Sequence, residues 1–91
     1  MKQVIPIPDE EGFVSYMTTI NFSKSYRDDI LYYLKYIIRE TGAIPTDLNR
    51  FNEDYLDRNR FSKNKKTGLR VAVRKYREYR KAKFGEEFID T

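Results

Sequence analysis

Closely spaced Lys and Arg residues near the end of this chain are the side chains best suited to act on a partner. Residues 60–85 hold eleven Lys or Arg and one acid, Glu78. In a helix, six of the basic side chains would follow one another at spacings of three and four residues, forming a ridge roughly 27 Å long. This basic ridge consists of Lys63, Lys66, Arg70, Arg74, Arg77 and Lys81. Ammonium and guanidinium groups in such a row can neutralise phosphates, so the ridge predicts a nucleic-acid surface.

Charge is distributed unevenly along the chain. Outside residues 60–85 there are seven basic and thirteen acidic residues, so a basic segment is attached to an acidic body. Solvated helical faces usually mix signs, because like charges at these spacings repel. The asymmetry therefore favours a polyanionic partner. RNA is an alternative to DNA, and a helical protein–protein module that binds an acidic partner is an alternative from another class. A membrane surface is disfavoured, because the segment lacks the Leu, Phe and Trp face of interfacial helices.

Composition argues against catalysis. The chain has no His and no Cys, which removes the commonest general base, disulfides and thiolate metal sites. We expect no catalytic residues, no metal, no cofactor and no small-molecule substrate. No stretch approaches the roughly 18 apolar residues of a membrane span, and the N-terminus does not resemble a signal peptide. We expect a cytoplasmic, nucleoid-associated protein without a membrane partner.

The apolar pattern predicts an all-α fold, a single compact bundle of about four helices. Residues 1–12, with Pro6 and Pro8, are expected to form an extended, flexible arm. A short helix is expected over residues 13–22. A second helix, over about residues 26–40, should be the central core helix; Ser25 is predicted to cap its start and Gly42 to end it. Tyr16, Tyr32, Tyr33 and Tyr36 are expected in the core or at its rim rather than as a base-stacking platform.

The second half of the chain predicts two more helices. Asp47 or Asn52 should cap a short helix that reaches residues 56–59. The last helix should begin after Ser62 and end at Gly85, although Gly68 weakens it by about 1 kcal/mol relative to Ala. Its apolar stripe is expected in the core and consists of Leu69, Ala72, Val73, Tyr76 and Tyr79. The helical DNA-binding domain is therefore expected over residues 13–85, and residues 86–91 form a tail or an interdomain linker.

Two stretches resemble a known family. "YRDDILYYLKYI" resembles a helix, and "FSKNKKTGLRVAVRKYREYRKAKFG" the last helix, of the N-terminal core-binding (SAM-like) domain of tyrosine recombinases of the phage integrase and Xer type. The resemblance covers roughly residues 13–85. The residues that match the pattern of the last helix are Phe61, Ser62, Ala72, Val73, Arg74, Tyr76, Tyr79 and Gly85. The chain departs from that pattern at Lys65, where the family usually has Thr, and at Gly68.

The resemblance implies a domain that clamps one face of double-stranded DNA, with its second and fourth helices at the major groove. Lys35 and Arg39 of the second helix would then join the ridge of the last helix. Arg70 and Arg74 are the predicted base contacts, because Arg can bind guanine bidentately, and Thr67 would complete the reading surface. The family's catalysis needs a His-x-x-Arg box, which a chain without His does not have. The chain is therefore expected to be a recombinase fragment or a stand-alone relative, with a catalytic domain or other recombinase subunits as further partners.

Overall fold

The computed structural model describes residues 7–89. Their helices are α1 (Glu10–Thr19), α2 (Lys24–Thr41), α3 (Leu48–Phe51) and α4 (Lys63–Phe84), and a π-helical turn, Asn52–Leu56, directly follows α3. These residues contain no β-strand beyond one isolated parallel bridge between Asp47 and Ile89. The predicted all-α bundle of about four helices is confirmed. None of the helices within residues 7–89 is long and apolar enough to cross a membrane.

The core lies between α2 and α4, the two long helices. α2 contributes one buried face at helical spacing, and the apolar stripe predicted on α4 is buried as well. α1 closes one side of this pair with Phe13 and Met17, both fully buried. The buried side chains of the long helices are Ile30, Leu34, Ile37, Ile38, Leu69, Ala72, Val73, Tyr76 and Tyr79.

Capping residues fix where α2 and α4 begin and end. The hydroxyl of Ser62 accepts a hydrogen bond from the backbone N–H of Lys65 at 3.2 Å, so Ser62 caps α4 as predicted. α4 ends at Gly85 and α2 at Gly42, each in the left-handed conformation that glycine adopts without a steric penalty. The prediction for the start of α2 was wrong by two residues. Ser23, not Ser25, is its cap and accepts from the backbone N–H of Tyr26 at 3.2 Å.

α3 is a single turn that widens directly into the π-helical turn. The Asp47 carboxylate caps it by accepting from the backbone N–H of Arg50 at 3.1 Å. Asn52 does not cap the start of α3 but follows its end and opens the wider turn, in which its carbonyl accepts from the N–H of Asp57 at 3.0 Å. This widening lets Phe51 and Leu56 both face the core, where each is buried.

The structure describes residues 7–12 of the predicted flexible arm and packs them against the body of the fold. Residues 1–6 lie outside the described residues, but Ile7 is 2 % exposed and belongs to the core. The Tyr76 hydroxyl donates to the carbonyl of Pro8 at 2.7 Å. α1 begins at Glu10, three residues before the predicted start. Burial of an apolar side chain and a satisfied buried hydroxyl hold this segment against α4.

The segment after α4 also contacts the body. The N–H of Ile89 donates to the carbonyl of Thr46, and the N–H of Leu48 donates to the carbonyl of Ile89, both at 2.9 Å. Residues 90–91 of the predicted tail or linker lie outside the described residues. Of the described residues, Ile89 lies beside the start of α3 through these two hydrogen bonds, and the Glu86 carboxylate lies beside Arg77 and Arg80 of α4.

Candidate nucleic-acid interface

The six residues of the basic ridge divide into two rows with different surroundings. Lys63, Arg74 and Lys81 are exposed, and so is Thr67 on the same line. Separations of four and seven residues keep these four side chains within about 40° of one another around α4. We call this row the outer strip. The side chains of Lys63 and Lys81 make no ion pair with any residue between 7 and 89, so their charges face solvent.

Two residues of the second row turn toward the π-helical turn. The Lys66 ammonium lies 3.6 Å from the Asp57 carboxylate. The Arg70 Nε donates to the side-chain oxygen of Asn52 at 3.1 Å. Both basic side chains are half-buried at the edge of the outer strip. Arg70 still has its terminal nitrogens to offer a partner, because a guanidinium carries five N–H donors.

Arg77 is a structural residue in this fold. Its Nε donates to the carbonyl of Pro45 at 2.8 Å, and a terminal nitrogen donates to the carbonyl of Ile44. Another terminal nitrogen lies 3.6 Å from the Glu86 carboxylate, and the side chain is only 12 % exposed. Burial lowers the pKa of Arg77. Arg77 thus links α4 to the loop after α2, and a phosphate could reach it only by displacing these partners.

The two predicted contacts on α2 do not join the outer strip. The Lys35 ammonium lies 3.5 Å from the Glu10 carboxylate of α1. Lys35 follows Tyr33 by two residues, so it lies on the opposite side of α2 from the ring that contacts α4. Arg39 stacks near the Tyr36 ring, 5.4 Å from its centroid. The structure therefore brings together Lys63, Thr67, Arg74 and Lys81, with Lys66 and Arg70 beside them.

Most of the remaining charge on α4 holds other segments of the chain. The Lys83 ammonium lies 3.1 Å from the Asp9 carboxylate, which also accepts a hydrogen bond from the Tyr79 hydroxyl. These two donors, the Tyr79 hydroxyl first, lower the pKa of Asp9. Glu86 accepts from Arg80. Acids from both ends of the described chain thus relieve part of the repulsion that the sequence predicts within α4.

A groove of about 290 Å³ runs between α2 and α4, directly beside the outer strip. It is lined by Tyr26, Asp29, Ile30, Tyr33, Asn64, Thr67, Gly68 and Val71. The Tyr33 ring lies across Gly68 so closely that a β-carbon there would be 2.5 Å from Cε2 of the ring. Sequence reasoning missed this groove. The sequence does carry one signal for it, the glycine inside α4, because such a glycine often marks a place where another side chain approaches the helix backbone closely.

Comparisons with known protein families, with curated proteins and with solved structures gave no match for this chain.

Proposed function

We propose that the chain binds double-stranded DNA through the outer strip of α4, without catalysing a reaction on it. The observation that carries the proposal is the exposed line of Lys63, Thr67, Arg74 and Lys81. Other cations of α4 are held by Asp9, Asp57 and Glu86, whereas Lys63 and Lys81 contact no acid between residues 7 and 89. The cations of the strip give this side of α4 a positive field, which favours a role in binding a polyanion.

The spacing of the strip suits contacts along a phosphate backbone. Lys63 and Lys81 are separated by roughly 27 Å along the helix axis, and Arg74 lies between them. Each cation would neutralise one phosphate and release condensed counterions, which is the main source of affinity. The Thr67 hydroxyl donates to the carbonyl of Lys63 at 3.0 Å, so it would have to leave that carbonyl to donate to a phosphate. Arg74, exposed near the middle of the strip, is the residue best placed to reach a guanine edge.

The residues of the second row would then have supporting roles. Lys66 and Arg70 are half-buried at the edge of the strip, where Asp57, directly after the π-helical turn, pairs with Lys66 and Asn52 of that turn accepts from Arg70. A phosphate near them would have to displace Asp57 or Asn52, so these two residues would contribute less than the exposed cations of the strip. We therefore count three full phosphate contacts, rather than the six that the ridge alone predicts.

The proposal extends to the role of a recombinase core-binding domain. In that role the chain would hold one face of the duplex, while a catalytic domain or other recombinase subunits supply the chemistry. Association with the nucleoid follows from DNA binding. The support is the all-α bundle and the sequence pattern of its second and last helices.

Alanine substitutions test the strip directly. A triple variant with Lys63, Arg74 and Lys81 changed to Ala should bind a fluorescent 20-base-pair duplex roughly tenfold more weakly or worse, because three phosphate contacts are lost. The matched control changes Lys24, Lys35 and Arg50 to Ala, which removes the same charge from other surfaces. Circular dichroism would establish that both variants are folded. Equal losses in the two variants would overturn the proposal, because net charge and not the strip would then govern binding.

A further inference from the structure

We infer that the groove between α2 and α4 binds one unpaired nucleobase of DNA that is held on the outer strip. This inference rests on the proposed function and adds a substrate class to it, namely duplex DNA with an extruded or bulged base. The groove and the strip are continuous, since Thr67 belongs to both and Asn64 directly follows Lys63. A strand with phosphates on Lys63 and Arg74 would pass beside the mouth of the groove.

The walls of the groove offer the contacts that a base needs. Tyr26 and Tyr33 present aromatic rings, on which any base can stack. The side chains of Asn64 and Asp29 make no hydrogen bond with any residue from 7 to 89, so both can turn to a base edge. Asn offers donors and an acceptor, whereas the Asp carboxylate only accepts. The pair therefore favours a base with an exocyclic amine, such as cytosine or adenine, over thymine.

Size and charge limit what can enter. At about 290 Å³ the groove is at the lower end of the volumes of ligand pockets, so it admits a single ring system and not a stacked duplex. The Asp29 carboxylate repels phosphate, so the backbone stays outside on the strip. A base must therefore leave its stack before it enters, which costs least where the base is already unpaired.

Gly68 shapes the floor of the groove. A glycine inside a helix lowers helix stability, and here it allows the Tyr33 ring to lie directly on the backbone of α4. Tyr32, the preceding residue, contacts Tyr33 edge-on with 5.4 Å between the ring centroids, but it is 61 % exposed and does not line the groove. Tyr32 is thus the natural control for substitutions of the groove tyrosines.

The experiment compares three 20-base-pair duplexes: fully paired, with one bulged cytosine, and with one bulged thymine. We expect the cytosine bulge to bind about fivefold or more tightly than the paired duplex, because one stacked base is gained. The thymine bulge should bind more weakly than the cytosine bulge. Tyr26→Ala and Asn64→Ala should abolish the preference for the cytosine bulge, and Tyr32→Ala should keep it. Tyr26 and Asn64 are both exposed, so neither change should unfold the domain.

Two further readouts separate the possible failures. A 2-aminopurine in the bulge should change its fluorescence on binding the wild type, and should not do so with Tyr26→Ala. Asp29→Asn should bind the cytosine and thymine bulges equally. Equal binding of paired and bulged duplexes, or a preference that survives in Tyr26→Ala and Asn64→Ala, would overturn the nucleobase site and leave the outer strip intact. No binding of any duplex would overturn both.

Discussion

Arg74 and Arg77 lie about one turn apart on α4 but have different surroundings. Arg74 is exposed, whereas Arg77 donates to the carbonyls of Ile44 and Pro45. On a helical wheel the two residues differ by only about 60°. That rotation is enough to turn the Arg77 guanidinium toward the loop after α2, while Arg74 stays exposed. At the scale of residues, burial and not spacing alone decides which cations a ligand can reach.

Asp9 provides a test of such pairing through pH. Its carboxylate accepts from the Tyr79 hydroxyl and the Lys83 ammonium, which lower its pKa below the ordinary value of 3.8. A lowered folded-state pKa contributes stability that is present above the ordinary value and is lost as the pH falls through the folded value. Asp9→Asn should therefore be less stable than the wild type at about pH 6, and the difference should shrink below about pH 4.

Urea midpoints of both proteins at about pH 6 and about pH 2.5 measure this difference. The other carboxylates titrate in both proteins, so their contribution cancels. A gap between wild type and Asp9→Asn that is the same at the two pH values would show that the ionised Asp9 carboxylate does not stabilise the fold.

At the scale of elements, each long helix is bounded by a serine and a glycine. Ser62 and Gly85 were predicted from the sequence as the ends of α4, and both are confirmed. The start of α2 was harder to predict, because Ser23 and Ser25 flank the same Lys and both precede a helical pattern. The hydroxyl of Ser23 caps the helix, and Ser25 lies in its first turn.

Two single substitutions distinguish these caps. Ser23→Ala should lower the free energy of unfolding by about 1 kcal/mol, because the backbone N–H of Tyr26 loses its acceptor. Ser25→Ala should change it by about 0.5 kcal/mol or less, since Ala is favoured inside a helix. Urea unfolding curves measure both changes. A larger loss for Ser25→Ala than for Ser23→Ala would mean that α2 begins where the sequence pattern placed it.

Local signals predicted the elements of this fold well, and long-range contacts explain what they missed. Periodicity and glycines gave the two long helices, because these signals act within a few residues. Ile7 packs against segments that are distant in sequence, and Arg77 donates to carbonyls that are distant in sequence. No local sequence pattern predicts contacts of this kind. The groove was missed for the same reason, since Tyr33 and Gly68 meet only once α2 and α4 pack.

At the scale of the whole molecule, both ends of the described chain are held against α4. Ile7 is buried beneath the start of α1, and the Glu86 carboxylate contacts Arg77 and Arg80. One of these contacts uses Arg77, which the sequence alone assigns to a DNA partner. The domain therefore uses one side of its basic helix to close its own fold and keeps the other side exposed.

Ile7→Ala measures how much the N-terminal segment contributes to the fold. Ile7 is 2 % exposed, so removing the side-chain atoms beyond its β-carbon should lower the free energy of unfolding by about 2 kcal/mol or more. Ile20→Ala is the matched control. Because Ile20 is 41 % exposed, its replacement should lower the free energy of unfolding by less. Chemical denaturation monitored by tyrosine fluorescence gives both values. Equal, small losses would mean that residues 7–12 are the mobile arm that the sequence predicts.

The central claim, that the outer strip binds DNA, is tested most directly by the salt dependence of binding. A fluorescent 20-base-pair duplex would be titrated with the wild-type protein between 50 and 200 mM salt. Three phosphate contacts predict a log–log slope of about −3 and a loss of affinity of about 40-fold over this range. The triple variant of Lys63, Arg74 and Lys81 should show a much shallower slope. Absence of binding at 50 mM salt, or binding with a slope near zero, would contradict the account and favour an acidic protein as the partner.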